Sequence, residues 1–220
     1  MSYAMNTEFI SMDALEDRIQ STDLVPSRVP LLEGIQEKFF ILEQQGVHTL
    51  GELRRVLKTN PRLEETARSS GIDSQYLILL RREIEGYFPK PLALMEFDEL
   101  NPVMLEKLTR SEIRDTAGLF SATRSPESLV ALSESCGVEV GTLTTLAKLA
   151  DLSRVQWVSL PVARLLLACG VDNPATLVTT DAEDLFEAFN QVNLEAQFFK
   201  GKIGLRDVKR LIHAAKFVED

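Results

Sequence analysis

Cysteine, histidine and tryptophan are all scarce in this chain, with two Cys, two His and one Trp among 220 residues. Cys136 and Cys169 each close an apolar-periodic stretch just ahead of a glycine. A small hydrophobe fits such a place, so the pair reads as reduced core thiols of a cytoplasmic protein and not as a disulfide. A zinc site requires several His, Cys or carboxylate ligands converging. His48 and His213 fall in different segments, and neither shares a helix face with a cysteine, so neither a metal nor a cofactor is expected. The chain also has no G-x-S-x-G or phosphate-loop string, and no activation motif flanks either thiol. A nucleophilic enzyme is therefore not expected. Paired carboxylates such as Glu64-Glu65 and Glu183-Asp184 read as solvated helix faces.

Long apolar runs are missing as well. A bilayer-spanning helix needs about 20 apolar residues, and the stretch from Val162 to Cys169 is short and broken by Arg164. Met1 to Ile10 shows no basic region ahead of an apolar core, so no secretory signal is expected and no membrane partner. Positive charge is in deficit, with 24 Lys and Arg against 33 Asp and Glu for a formal charge of −9. Holding phosphate backbones by counterion release normally takes a net basic face, so broad nucleic-acid affinity is disfavoured. One local exception stands out: Lys200, Lys202, Arg206, Lys209, Arg210 and Lys216 face the single Asp207.

What the chain does contain is repetition. A step of 66 residues carries Gly46-Val47 to Glu112-Ile113, and the same step carries Leu42 to Leu108, Leu53 to Leu119, Gly71 to Gly137 and Leu77 to Leu143. A third copy follows 58 residues later, with Leu166, Gly170-Val171 and Leu177. Stacked supersecondary units are implied, and these build binding surfaces more often than catalytic pockets.

The apolar spacing is helical throughout, with no strand alternation. Residues 1–29 stand apart as an arm and linker: Phe9, Met12, Leu15 and Ile19 form one helical stripe, free to dock on the body or on another chain. Pro26 and Pro30 favour an extended linker behind it. The first unit, 30–91, places a helix before Gly46, a second over about 50–57, a third opened by Asn60-Pro61 and closed by Gly71, and a fourth from Asp73 or Ser74. The remainder, 92–220, holds the second and third units, with Asn101-Pro102, Ser125-Pro126 and Asp181 as helix starts and a basic terminal helix. Pro89-Lys90-Pro91 is the clear internal break.

The string Leu32-Glu33-Gly34-Ile35-Gln36-Glu37-Lys38 before Gly46-Val47 resembles the helix-hairpin-helix motif. So does Leu152-Ser153-Arg154-Val155-Gln156-Trp157-Val158-Ser159-Leu160-Pro161-Val162-Ala163 before Gly170-Val171. The wider stretch 30–218 resembles an uncharacterised bacterial domain-of-unknown-function family built from paired units of this kind. The resemblance implies an all-α fold of three serial helix-hairpin-helix-like (SAM-domain-like) units. In the motif an apolar residue between two glycines makes a hairpin whose backbone N–H groups hold a DNA phosphate. No copy in this chain retains both glycines, although the first keeps Gly34. Gln36 stands at the second glycine position of the first copy, Leu100-Asn101-Pro102 at the second copy's hairpin, and Trp157 and Ser159 at both glycine positions of the third.

Trp157 reads either as a core plug or as an exposed anchor for a partner. Phe198-Phe199 packs the terminal helix or stacks on a base or an aromatic partner, and Arg54-Arg55 with Lys58, and Arg81-Arg82, read as ordinary polar surface. The expected function is non-catalytic macromolecular interaction or scaffolding with a protein partner. The alternative is DNA or RNA binding through the hairpin backbone and the basic terminal segment. Candidate binding residues are Gly34, Gln36, Trp157, Ser159, Lys200, Lys202, Arg206, Lys209 and Arg210.

Overall fold

The computed structural model describes residues 3–218, and among them the fold is all helical. No strand forms there, and only two isolated antiparallel bridges occur, Ser11 with Thr49 and Ala93 with Asp115. Among the described residues no helix is long and apolar enough to cross a membrane. The chain divides into two compact units, Met5–Phe88 and Pro89–Asp220 together with Met1–Ala4. Each buries its own apolar cluster.

The Met5–Phe88 unit holds α1 (Met12–Ser21), α2 (Ile35–Gln44), α3 (Leu50–Leu57), α4 (Asn60–Ser70) and α5 (Ser74–Glu85). The stripe of α1, Met12, Leu15 and Ile19, is buried with Leu31, Leu42, Leu53 and Leu80, so the arm helix is part of this core. Phe9 does not continue that helix. It lies in a 3-10 turn, Thr7–Phe9, and is 84% exposed. Ser11 caps α1 by accepting from the Ala14 N–H at 3.2 Å, and the segment before it is drawn off to pair with the α2–α3 connection through Met12 N to His48 O and Leu50 N to Ile10 O.

The expected extended linker is instead a 3-10 helix, Pro26–Leu32. Proline's fixed φ near −65° suits a 3-10 turn as well as an extended chain. The fully buried Leu31, whose carbonyl accepts from Tyr76 OH at 3.0 Å, favours the turn. At α4 the capping position falls to Thr59, while Asn60 opens the helix and its side chain accepts from Arg81.

The larger unit holds α6 (Pro102–Arg110), α7 (Thr116–Ala122), α8 (Pro126–Cys136), α9 (Val140–Leu152), α10 (Leu160–Ala168), α11 (Pro174–Thr179), α12 (Ala182–Ala196) and α13 (Leu205–Ala215). Local chemistry recurs at matching places. After α2, α6 and α10 a left-handed residue stands at Gly46, Glu112 and Gly170. The next residue then donates back five positions, Val47 N to Leu42 O, Ile113 N to Leu108 O and Val171 N to Leu166 O, at 3.0–3.1 Å. These satisfy helix-end carbonyls otherwise left without donors. Polar caps then start the following short helix: Thr49, Asp115 and Asn173 each accept from an N–H three residues on. Packing recurs too, with α3 on α5, α7 on α9 and α11 on α13, and with α4 on α5, α8 on α9 and α12 on α13.

In the larger unit the Tyr3 hydroxyl is hydrogen-bonded to Thr116 Oγ1 at 2.8 Å and Ser153 Oγ at 2.9 Å, and its ring meets Phe120 edge-on. Burial pushes the Tyr3 phenol above its ordinary pKa, against the lowering effect of those two hydrogen bonds. Arg164 of α10 holds Glu99 with two bonds of 2.7 and 2.8 Å, which ties the entry of α6 to α10.

Candidate functional site

The turn from α9 into α10 is tight. Val158 N donates to Val155 O at 3.1 Å, Val158 is buried, and Trp157 adopts φ +69°. A left-handed L-residue costs roughly 1–2 kcal/mol relative to the right-handed form, so a bulky tryptophan here calls for compensation from its surroundings. Part of it comes from α13: the Arg210 guanidinium lies 4.1 Å from the centroid of the indole. Trp157 is 41% exposed. The indole is therefore no core plug, and a substantial part of it reaches solvent.

Around the indole runs a groove lined by Ser159, Val162, Phe199, Lys202, Ile203, Asp207, Arg210 and Leu211. Its floor is apolar, from Val162 on α10 and Leu211 on α13. One wall is the loop between α12 and α13. That loop is set by Gln197, which ends α12 in the left-handed conformation at φ +51°. Asn193 fixes it further, donating from Nδ2 to Phe199 O at 2.7 Å and accepting at Oδ1 from Phe199 N at 2.9 Å. The Phe199 ring lies over Gly201 too closely for a β-carbon there. On the rim, Asp207 accepts from the Gly204 N–H at 2.9 Å, which caps α13. The Nε of Arg210 is buried without a hydrogen-bond partner.

Trp157, Ser159, Lys202 and Arg210 thus come together, while the other candidate residues do not. Gly34 and Gln36 belong to the Met5–Phe88 unit, where Gly34 precedes α2 in the left-handed conformation at φ +59°. The nearby Lys38 ammonium is already engaged: it donates to the Glu33 carbonyl and sits 4.4 Å over the Tyr76 ring. Lys200 is exposed outside the groove. Lys209 pairs with Glu183 of α12 at 2.9 Å. Arg206 shares with Lys209, Arg210 and His213 one side of α13, set by i, i+3, i+4 and i+7 spacing, opposite the buried Val208, Leu211 and Ala215; Arg206 and Lys209 are exposed there, and Arg210 and His213 are half-buried.

Nothing in the sequence marks Asn193 and Gln197 as parts of this site, because Asn193 shapes the loop through side-chain bonds to its backbone and Gln197 through a backbone conformation, and neither carries a motif. Asp207 is legible there only as a charge opposing the basic run. Chemically the groove offers an aromatic edge, an apolar floor and a guanidinium with unused donor capacity. That combination suits non-covalent recognition. Among the described residues no three His, Cys, Asp or Glu side chains are grouped to hold a metal. Both cysteines are free, Cys136 buried and Cys169 half-buried, and burial raises the Cys169 thiol above its ordinary value.

Residues 98–218 match a family model described as "Domain of unknown function (DUF4332)". The matched stretch contains the whole Trp157 groove and none of Met5–Phe88. No curated protein and no solved structure matches the chain.

Proposed function

We propose that this chain, which belongs to the DUF4332 family of domains of unknown function, is a non-catalytic cytoplasmic interaction protein whose partner is another protein. The observation that carries the reading is the indole of Trp157, 41% exposed, bracketed by Arg210 at 4.1 Å and flanked by apolar residues of two helices and a loop. Tryptophan and arginine are the residue types enriched where binding energy concentrates in protein interfaces. The architecture proposed is three serial helix-hairpin-helix-like, SAM-domain-like units. Its support is the recurrence of caps and of second-on-fourth helix packing, with a left-handed residue ahead of a buried apolar one at both Gly34-Ile35 and Trp157-Val158. At the third hairpin an indole takes the place of the glycine that lets a phosphate approach the backbone, and Pro161 removes one N–H from the first turn of α10.

The test is capture from native extract with the full chain as bait, beside Trp157→Ala and Arg210→Glu. Protein partners retained by the parent and depleted at least about tenfold by either substitution are the expected result, since hot-spot truncations typically cost about 2 kcal/mol or more. Recovery of nuclease-sensitive material alone overturns the reading.

A nucleic-acid reading has one observation in its favour, the basic side of α13 with the exposed Arg206 and Lys209 and the half-buried Arg210. It requires retardation of duplex or single-stranded DNA or RNA at low salt, weakening steeply as salt rises and lost in Lys209→Glu with Arg210→Glu. No retardation at low salt ends it. The pairing of Lys209 with Glu183 and of Arg210 with Trp157 weighs against it.

A further inference from the structure

The basic doublets of the Met5–Phe88 unit, ordinary polar surface by sequence, meet in space. Arg54 and Arg55 of α3, Lys58 at its C-terminal cap and Arg81 of α5 line one groove of about 540 Å³, together with the carboxylates of Glu8 and Glu85. Arg54 grips Glu85 through two bonds of 2.9 and 3.1 Å. Arg81 is committed to the end of α3, donating to Leu57 O and Asn60 Oδ1. Lys58 has no ion pair among the described residues and is exposed.

Arg55 grips Glu8 at 2.7 and 3.3 Å. That carboxylate lies against Gly51 in the first turn of α3, so closely that a β-carbon on Gly51 would overlap it. The seat is therefore shaped for a carboxylate: a missing side chain below, a guanidinium fork beside it, and the positive end of a helix behind. Its present occupant is open to solvent. Glu8 comes from the short turn Thr7–Phe9, its side chain is 54% exposed, and exposed ion pairs of this kind contribute little.

We propose that this groove docks an acidic peptide segment of a protein partner, and that Glu8 is a built-in competitor occupying its carboxylate seat until such a segment displaces it. Two features select a peptide. The Arg55 fork and the Gly51 gap already hold a side-chain carboxylate, and a chain of net charge −9 repels a long polyanion while tolerating a short acidic stretch at a local excess of cations. The groove lies in the other unit from Trp157, so the peptide titration and the capture experiment fail or succeed separately.

The probe is a fluorescein-labelled peptide carrying the chain's own residues 6–12 preceded by two aspartates, titrated with full-length protein and followed by fluorescence polarisation. Glu8→Arg, which empties the seat, is expected to tighten binding about fivefold or more over the parent. Adding Arg55→Glu to that variant abolishes binding. Adding Gly51→Ala does so without changing charge, because a methyl fills the seat while helix propensity improves. Lys58→Glu, at an exposed position, supplies the charge-reversal result should the Arg55 variant fail to fold. A probe with its central Glu replaced by Gln binds no better to Glu8→Arg than to the parent. Equal affinity of parent and Glu8→Arg overturns the proposal, as does survival of binding in the Gly51 variant. Preference for a labelled single-stranded oligonucleotide over the peptide also overturns it.

Discussion

Single side chains here carry costs that their neighbours offset. Trp157 at φ +69° sits where glycine is the unstrained choice, and its ring gains roughly 0.5–1 kcal/mol from the Arg210 guanidinium. Trp157→Gly therefore removes strain and stacking of similar size, and urea titration should find stability within about 1 kcal/mol of the parent. A loss above about 3 kcal/mol would mean that the indole packs as core after all. At Glu99 burial pushes the carboxyl up, but the Arg164 hydrogen bonds, a backbone hydrogen bond and the nearby charge together hold it below the usual carboxylate range. A depressed folded-state value means the contribution is fully present above the unfolded value, about 4.3, and is lost as pH falls through the folded one. Urea midpoints taken from about pH 6 down to about pH 3 should fall more steeply for the parent than for Glu99→Gln, which should itself be less stable near pH 7. The sequence announces Trp157 as a departure from a glycine pattern, but it holds no sign of the Arg164–Glu99 pair, whose partners lie 65 positions apart.

Elements are most legible where a cap is written in side chains. Asp73, Asn101, Ser125 and Asp181 all stand at helix starts with a side-chain oxygen accepting a backbone N–H. Caps written in backbone conformation are harder to read, because Gln197 takes the left-handed conformation with no glycine to mark it. The same contrast yields a paired prediction across the step of 66 residues. At Gly46 an added β-carbon would meet nothing within 4 Å, so only the conformational penalty applies and Gly46→Ala should cost about 1 kcal/mol. Glu112, left-handed at the matching place, should gain a similar amount as Glu112→Gly. Chemical denaturation of both variants checks the pair, and a neutral Glu112→Gly would show that the strained residue makes compensating contacts. The Pro26–Leu32 turn reads as extended in the sequence because proline fixes φ and leaves ψ to the packing of Leu31.

For the molecule as a whole, periodic leucines and glycine stops are enough to foresee helices in matching order, since both are local signals. The placement of residues 5–29 is not foreseeable in this way, because the bridge between Ser11 and Thr49 and the seat of Glu8 on Gly51 join segments with no shared pattern. Two separate buried clusters predict separable responses to damage. Leu80→Ala, at a fully buried site of the Met5–Phe88 cluster, should cost about 2–5 kcal/mol and speed amide exchange across α2–α5 while leaving α6–α13 at parental rates. Acceleration in both units alike would show that they open as one cooperative block. Because the chain has one indole, half-shielded beneath a guanidinium, its tryptophan emission belongs to a single groove. Anything that closes over that groove must shift the emission to the blue and hide it from a dissolved quencher, so the protein carries its own optical gauge of occupancy.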